Sequence, residues 1–309
     1  MRNPINIKVI GVGGSGCNAI GRMAKDRIRG VELIALNSDY QDLKKINADK
    51  KIQIGRKLTQ GLGTGMNPEM GRKAAQEQSQ ELQKAIENAA MVFITCGLGG
   101  GTGSGAAPVI ADIAKNSGAL TVAVVTRPFS FEGSWRSRIA LESIDLIKNK
   151  VDSLISVSND KLLTTLNPNT TLANAFWLCD EILRQAVQSI SDLVLSPGII
   201  NVDFADVRSI LKDSGRAVFG IGRAKGEKRA EVAARAAIES PLFDAPARGA
   251  KGVLFNVSGG LDISLSEVEE AAKIITSEIN SQARVIFGAV HDQTLGKGEI
   301  KITVVATGF

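Results

Sequence analysis

At 309 residues, 44% hydrophobic and 22% charged, the chain is long enough for two ordinary domains with real cores. No apolar run approaches the roughly 20 residues that cross a bilayer, and Met1–Asn6 is too short and polar for a signal peptide, so a cytoplasmic protein without direct membrane insertion is expected. The net charge of +5 comes from basic residues scattered among acids, with one Tyr and two Trp to stack on bases, which favours a solvated basic face over a nucleic-acid site.

In chain order, Asn6–Ile10 predicts a strand that runs into Gly11-Val-Gly-Gly-Ser-Gly-Cys-Asn18, after which Ala19–Met23 begins a helix. Alone, that glycine pattern resembles a dinucleotide fingerprint, and Asp39 beyond the second strand (Glu32–Leu36) would suit its ribose-binding acid. Two more glycine loops change the reading: Gly61-Leu-Gly-Thr-Gly-Met-Asn-Pro68, and Cys96-Gly-Leu-Gly-Gly-Gly-Thr-Gly-Ser-Gly105 after the apolar run Met91–Thr95. The second holds six glycines in the nine positions 97–105, lets successive N–H groups converge on an anion, and adds the hydroxyls of Thr102 and Ser104. No Lys-Ser or Lys-Thr pair follows, so it is not a Walker loop. Three such loops suit one triphosphate better than NAD.

Strands at Lys51–Ile54, Leu120–Thr126 and Ser153–Val157 alternate with helices at Pro68–Ala89, Ala106–Lys115 and Trp135–Asn149, which predicts βα units on a parallel sheet. Ligands of such sheets sit at the carboxyl ends of the strands, where all three loops fall. From Leu172 to Leu195, apolar residues recur every three to four positions, predicting one long helix stopped by Pro197-Gly198 and placed between domains. Beyond it, strands at Ala217–Ile221, Gly252–Val257, Arg284–Val290 and Ile300–Ala306, with helices at Phe204–Lys212, Glu227–Glu239 and Leu265–Ile279, predict a smaller α/β domain. Asp203 and Asp206, three apart at a helix start with Asn201 just before them, either serve the helix dipole or orient a water toward a phosphoryl group. Cys17, Cys96 and Cys179 are too widely spaced for a metal site, and the single His291 excludes a multi-His centre, so no protein metal site is expected.

Gly99-Gly-Gly-Thr-Gly-Ser-Gly105 resembles the signature of the tubulin/FtsZ family, and Asn201-Val-Asp-Phe-Ala-Asp-Val-Arg208 resembles that family's synergy loop. The likeness runs from Ile7 to Val304-Val-Ala-Thr-Gly308. It implies a Rossmann-like parallel-sheet GTPase domain over 1–170, a connecting helix over 171–197 and an α/β activating domain over 198–309. By motif, Gly14, Ser15, Gly16, Cys17 and Asn18, with Gly100, Gly101, Thr102, Gly103 and Ser104, would hold the phosphates of GTP or GDP. Gly63, Thr64, Gly65, Met66 and Asn67 would approach the γ-phosphate, Glu132 and Arg136 the ribose and phosphates, and Asn159, Phe176 and Asp180 the guanine. Asn201, Asp203 and Asp206 would position water on the GTP of an adjacent subunit, with Mg2+ on the phosphates and K+ as a further cation.

The resemblance further implies a head-to-tail homopolymer that hydrolyses GTP between subunits and assembles at the midcell division site. A non-hydrolysing scaffold of the same superfamily would lack the acidic pair that this chain has. The chain departs from the pattern at Ser156-Val-Ser158, where relatives often carry a proline, and in the bulk of Trp135 and Trp177. It also ends at Phe309, where the family usually continues into a tail that docks membrane tethers and other division proteins.

Overall fold

The computed structural model describes residues 5–309 except 27, 29, 165, 168, 196, 197, 244–248 and 293. The chain separates into two compact units, Met1–Gln188 and Ser189–Phe309.

In the first unit the strands are β1 (Ile7–Val12), β2 (Val31–Asn37), β3 (Lys50–Gln53), β4 (Met91–Gly97), β5 (Leu120–Arg127) and β6 (Ser153–Ser158). They lie in the order β3-β2-β1-β4-β5-β6 with every pairing parallel. The helices are α1 (Gly13–Asp26), α2 (Tyr40–Lys45), α3 (Arg56–Thr59), α4 (Pro68–Glu77), α5 (Ser79–Ile86), α6 (Gly101–Asn116), α7 (Ser134–Ile147) and α8 (Asn159–Leu163). One face of the sheet buries Ile10, Ile34, Ile94 and Val125 against α4 to α7. Gly11 faces the other way, and no side chain fits there because a Cβ would meet the backbone of Gly16 and the side chain of Ile20 on α1.

Three expected helices differ, and the first is α1, which starts at Gly13 and not at Ala19, so most of the first glycine loop is helical. The helix expected over Pro68–Ala89 is two helices, broken at Gln78, whose side chain turns back to accept from the Gly55 N–H at 2.5 Å. The helix expected from Ala106 starts at Gly101, so half of the glycine loop is helical. Glycine there serves packing: a Cβ on Gly105 would overlap Pro68 O and come within 2.7 Å of Arg72 N, and one on Gly71 would overlap Gly101 O. Those two glycines let α4 and α6 cross backbone to backbone.

The long helix α9 spans Leu172–Leu195 as expected, and no residue from Cys179 to Leu193 is exposed. Of its expected stop, Pro197 lies outside the described residues. The unit boundary falls within this helix.

The second unit contains α10 (Phe204–Leu211), β7 (Gly215–Lys225), α11 (Arg229–Ile238), β8 (Gly252–Gly259), α12 (Leu265–Ser277), β9 (Arg284–His291) and β10 (Glu299–Thr307). Its strands run β7-β10-β8-β9, antiparallel except for β8 with β9. Alternate residues Ile300, Ile302, Val304 and Ala306 of β10 enter a core with α11 and α12. The segment before α10 is pinned to β9, where Ile199 and Ile200 donate to Ala289 O at 2.7 and 3.1 Å and Ala289 N returns a bond to Ile200 O.

Candidate functional site

A cleft of about 450 Å³ opens at the carboxyl ends of β1, β4, β5 and β6. Two helices begin there. α1 starts at Gly13 and α6 at Gly101, neither with an acid in its first turn, and the two starts nearly touch: a Cβ on Gly13 would lie 3.1 Å from Gly103 N. Free N–H groups and two helix dipoles thus meet at one point, with no acid in either first turn to repel an anion. Gly14 and Gly100 have open space where a Cβ would stand, so a ligand can lie directly on the backbone.

Of the residues expected from sequence, the cleft is lined by Gly14, Ser15, Asn18, Thr64, Gly100, Gly101, Thr102, Gly103, Glu132, Arg136, Asn159, Phe176 and Asp180. The others are placed differently. Gly16 packs on the sheet, where a Cβ would overlap Thr95 O and lie 3.2 Å from Gly11 Cα, and the Cys17 thiol donates to Leu36 O at 3.4 Å. Burial pushes that thiol up to about 12, and the thiols of Cys96 and Cys179 likewise. The Ser104 hydroxyl accepts from Gly99 N at 2.9 Å, which ties the loop to itself. Asn67 caps α4 by accepting from Glu69 N and Met70 N. Gly63, Gly65 and Met66 hold left-handed φ of 81°, 56° and 61°, forming the turn that carries Thr64 into the cleft. Asp39, the acid of the dinucleotide alternative, caps α2 by accepting from Asp42 N.

At the far end of the cleft, Glu132 is fixed by two donors, Phe129 N at 3.0 Å and Arg136 Nη1 at 2.7 Å. Phe176, 40% exposed, stands edge-on to Phe129 at 5.4 Å and leaves a ring face open. Asn159 is buried, yet its Oδ1 has no hydrogen-bond partner, which favours a donor from a ligand. Asp180 is buried too, and desolvation raises its carboxyl from 3.8 to about 6 against the opposing pull of Ser15 and Arg22. The neutral end of a ligand with both donors and acceptors suits this corner.

Asn201, Asp203 and Asp206 are all exposed and are not among the residues lining this cleft, which run from Gly13 to Asp180. Asn201 Oδ1 accepts from Gly198 N at 2.7 Å, and Asp203 is the N-cap residue of α10. Three participants escaped sequence reasoning. Ser38 and Arg22 bond to cleft residues from behind, and Thr126 lines the cleft from the end of β5. Arg22 lies one helical turn beyond Asn18, a spacing that signals a shared face.

Residues 6–167 match the Tubulin/FtsZ family GTPase domain. The chain belongs to the tubulin/FtsZ family. Residues 215–309 match the FtsZ family C-terminal domain. A relative, cell division protein FtsZ 1 of Thermococcus kodakarensis, is 50% identical over 302 residues, spanning 98% of this chain and 80% of its own. An empty FtsZ dimer from M. jannaschii superposes with a TM-score of 0.96 at 44% identity, covering 100% of this chain and 89% of that one. CetZ1 of Haloferax volcanii, a GDP-bound monomer, shares the fold at a TM-score of 0.83 and 23% identity, over 98% of this chain and 94% of its own. The cleft therefore lies in the GTPase domain of a tubulin/FtsZ protein.

Proposed function

We propose that this chain is a cytoplasmic, self-assembling GTPase of cell division that acts at midcell and stacks head to tail. The observation that carries the reading is the junction of the α1 and α6 N-termini, with no acid in either first turn, in a cleft that also holds Asn159 and Asp180. The phosphates of GTP lie on Gly14, Gly100 and their neighbours, and the ribose faces Glu132 and Arg136. Guanine meets Phe176 and donates its N1–H and amino group to Asp180. Adenine, with its reversed donor and acceptor, would bury unmatched polar groups there.

Hydrolysis needs a water aimed at the γ-phosphate, a task of positioning and electrostatics. Asn201, Asp203 and Asp206 are suited to it by chemistry and exposure, and they act on the nucleotide of the next subunit. A heterologous contact of this kind does not close on itself and yields filaments, a reading supported by the dimer of the M. jannaschii relative. Among the described residues no cluster of three or more His, Cys, Asp or Glu stands ready for an ion. Magnesium would sit with the phosphates of the nucleotide and neutralise developing charge there. Potassium is the second cation to test.

GTP turnover per subunit, measured over a protein dilution series with magnesium and with pelleting of the same samples, tests the reading. Turnover should appear only above a threshold concentration, together with pelleting. Turnover independent of concentration would remove Asp203 and Asp206 from the shared site, and NAD binding without GTP binding would overturn the whole assignment.

A further inference from the structure

Ser38 follows β2 directly, is 0% exposed and does not line the cleft. Its Oγ lies 2.7 Å from Thr102 Oγ1, and Thr102 Oγ1 lies 3.1 Å from Thr64 Oγ1. The last two residues do line the cleft. Three hydroxyls from the end of β2, the first turn of α6 and the left-handed loop therefore form one chain. Gly101 makes room for it, since a Cβ there would overlap Thr64 Oγ1.

Each hydroxyl has one proton to give. Thr102 is the side-chain partner of the Ser38 hydroxyl among the described residues. Were Thr64 to donate to Thr102 and Thr102 to Ser38, the Ser38 proton would be buried without a protein acceptor, which is costly. With Ser38 donating to Thr102 all three are satisfied: Thr102 and Thr64 share one further bond, and the proton left over faces the cleft that both residues line. We propose that Ser38 is a positioning residue that sets the direction of this relay, so that the Thr102–Thr64 pair offers a donor to the terminal phosphate of a nucleoside triphosphate. The inference rests on the triphosphate reading above. A diphosphate, which lacks the group facing that pair, gains nothing from the relay.

The test is equilibrium competition against a fluorescent GDP, below the assembly threshold, with GDP and the slowly hydrolysed guanosine 5′-[γ-thio]triphosphate as competitors. Ser38→Ala and the nearly isosteric Ser38→Cys should lose about tenfold in preference for triphosphate over diphosphate, the scale of one hydrogen bond to a charged group, with GDP affinity held within about twofold. Ser38→Thr, which keeps the hydroxyl, should retain the preference. An equal loss for both nucleotides, or a lowered melting temperature with an unchanged ratio, would make Ser38 merely structural and overturn the relay. Wild-type protein that binds neither nucleotide would instead overturn the triphosphate reading, and the relay with it.

Discussion

Arg22 on α1 and Asp180 on α9 form an ion pair with Nη2 and Oδ2 3.3 Å apart, while Asp180 Oδ1 accepts from Ser15 Oγ at 3.1 Å. The guanidinium also lies over the Trp177 ring, 5.4 Å from its centroid. Even so, desolvation outweighs both partners and raises the Asp180 carboxyl to about 6. A carboxylate kept charged at neutral pH against its own burial is costly to the fold and useful to a ligand that donates two hydrogen bonds.

The sign follows from that raised value. The folded chain holds a proton that the unfolded chain releases between about pH 4 and 6, so the contribution of Asp180 to stability is present below pH 4 and is lost as pH rises through 6. Asp180→Asn should stabilise the nucleotide-free protein by ~2 kcal/mol at pH 8 and give no gain near pH 4. Thermal melts at the two values check it. GTP affinity of the wild type should weaken as pH falls below 6, because the acceptor is neutralised.

Asp206 is exposed in the first turn of α10 and makes no demand on the core, whereas Val207, Ile210 and Leu211 of the same helix are buried. Asp206→Ala should leave folding and GTP binding near normal and lower turnover by roughly 100-fold or more. Turnover per subunit in pelleted polymer is the measurement, and an unchanged rate would release Asp206 from catalysis.

Glycines of one loop should divide into two classes. At Gly105 a Cβ would strike the α4 backbone, so Gly105→Ala should cost about 3 kcal/mol. At Gly100, where φ is −96° and nothing stands within 4 Å, Ala should cost under about 1 kcal/mol of stability. Its effect should appear in nucleotide affinity instead. Urea unfolding and a binding titration on the two variants separate the classes.

In the second unit, Arg229 is buried and binds Asp262 Oδ2 at 2.7 Å, Asp262 O at 2.9 Å and both oxygens of Glu267. The guanidinium lowers the Glu267 carboxyl from 4.5 to about 2. That stability is present above pH 4.5 and lost as pH falls toward 2. Glu267→Gln should cost about 2 kcal/mol at pH 7 and progressively less in acid, as pH-dependent melts would read.

The sequence by itself determined the order of the strands, the longer helices between them, the bounds of α9, and the glycine loops at the ends of the strands. Those follow from local periodicity and from glycine at turns, which act over a few neighbouring positions. The resemblance to the tubulin/FtsZ family, and not periodicity or spacing, singled out Glu132, Arg136, Asn159, Phe176 and Asp180, and the structure brings them to one cleft. Only the tertiary structure decided which glycines stand open and which meet another helix, since a Cβ at Gly105 would strike α4, some thirty residues earlier in the chain, while one at Gly100 would meet nothing within 4 Å. It alone joined Ser38 to Thr102 and Arg22 to Asp180, pairs 64 and 158 residues apart. Hydrogen bonds of that span leave no period in a sequence, because the fold and not the spacing brings their atoms within 3.5 Å.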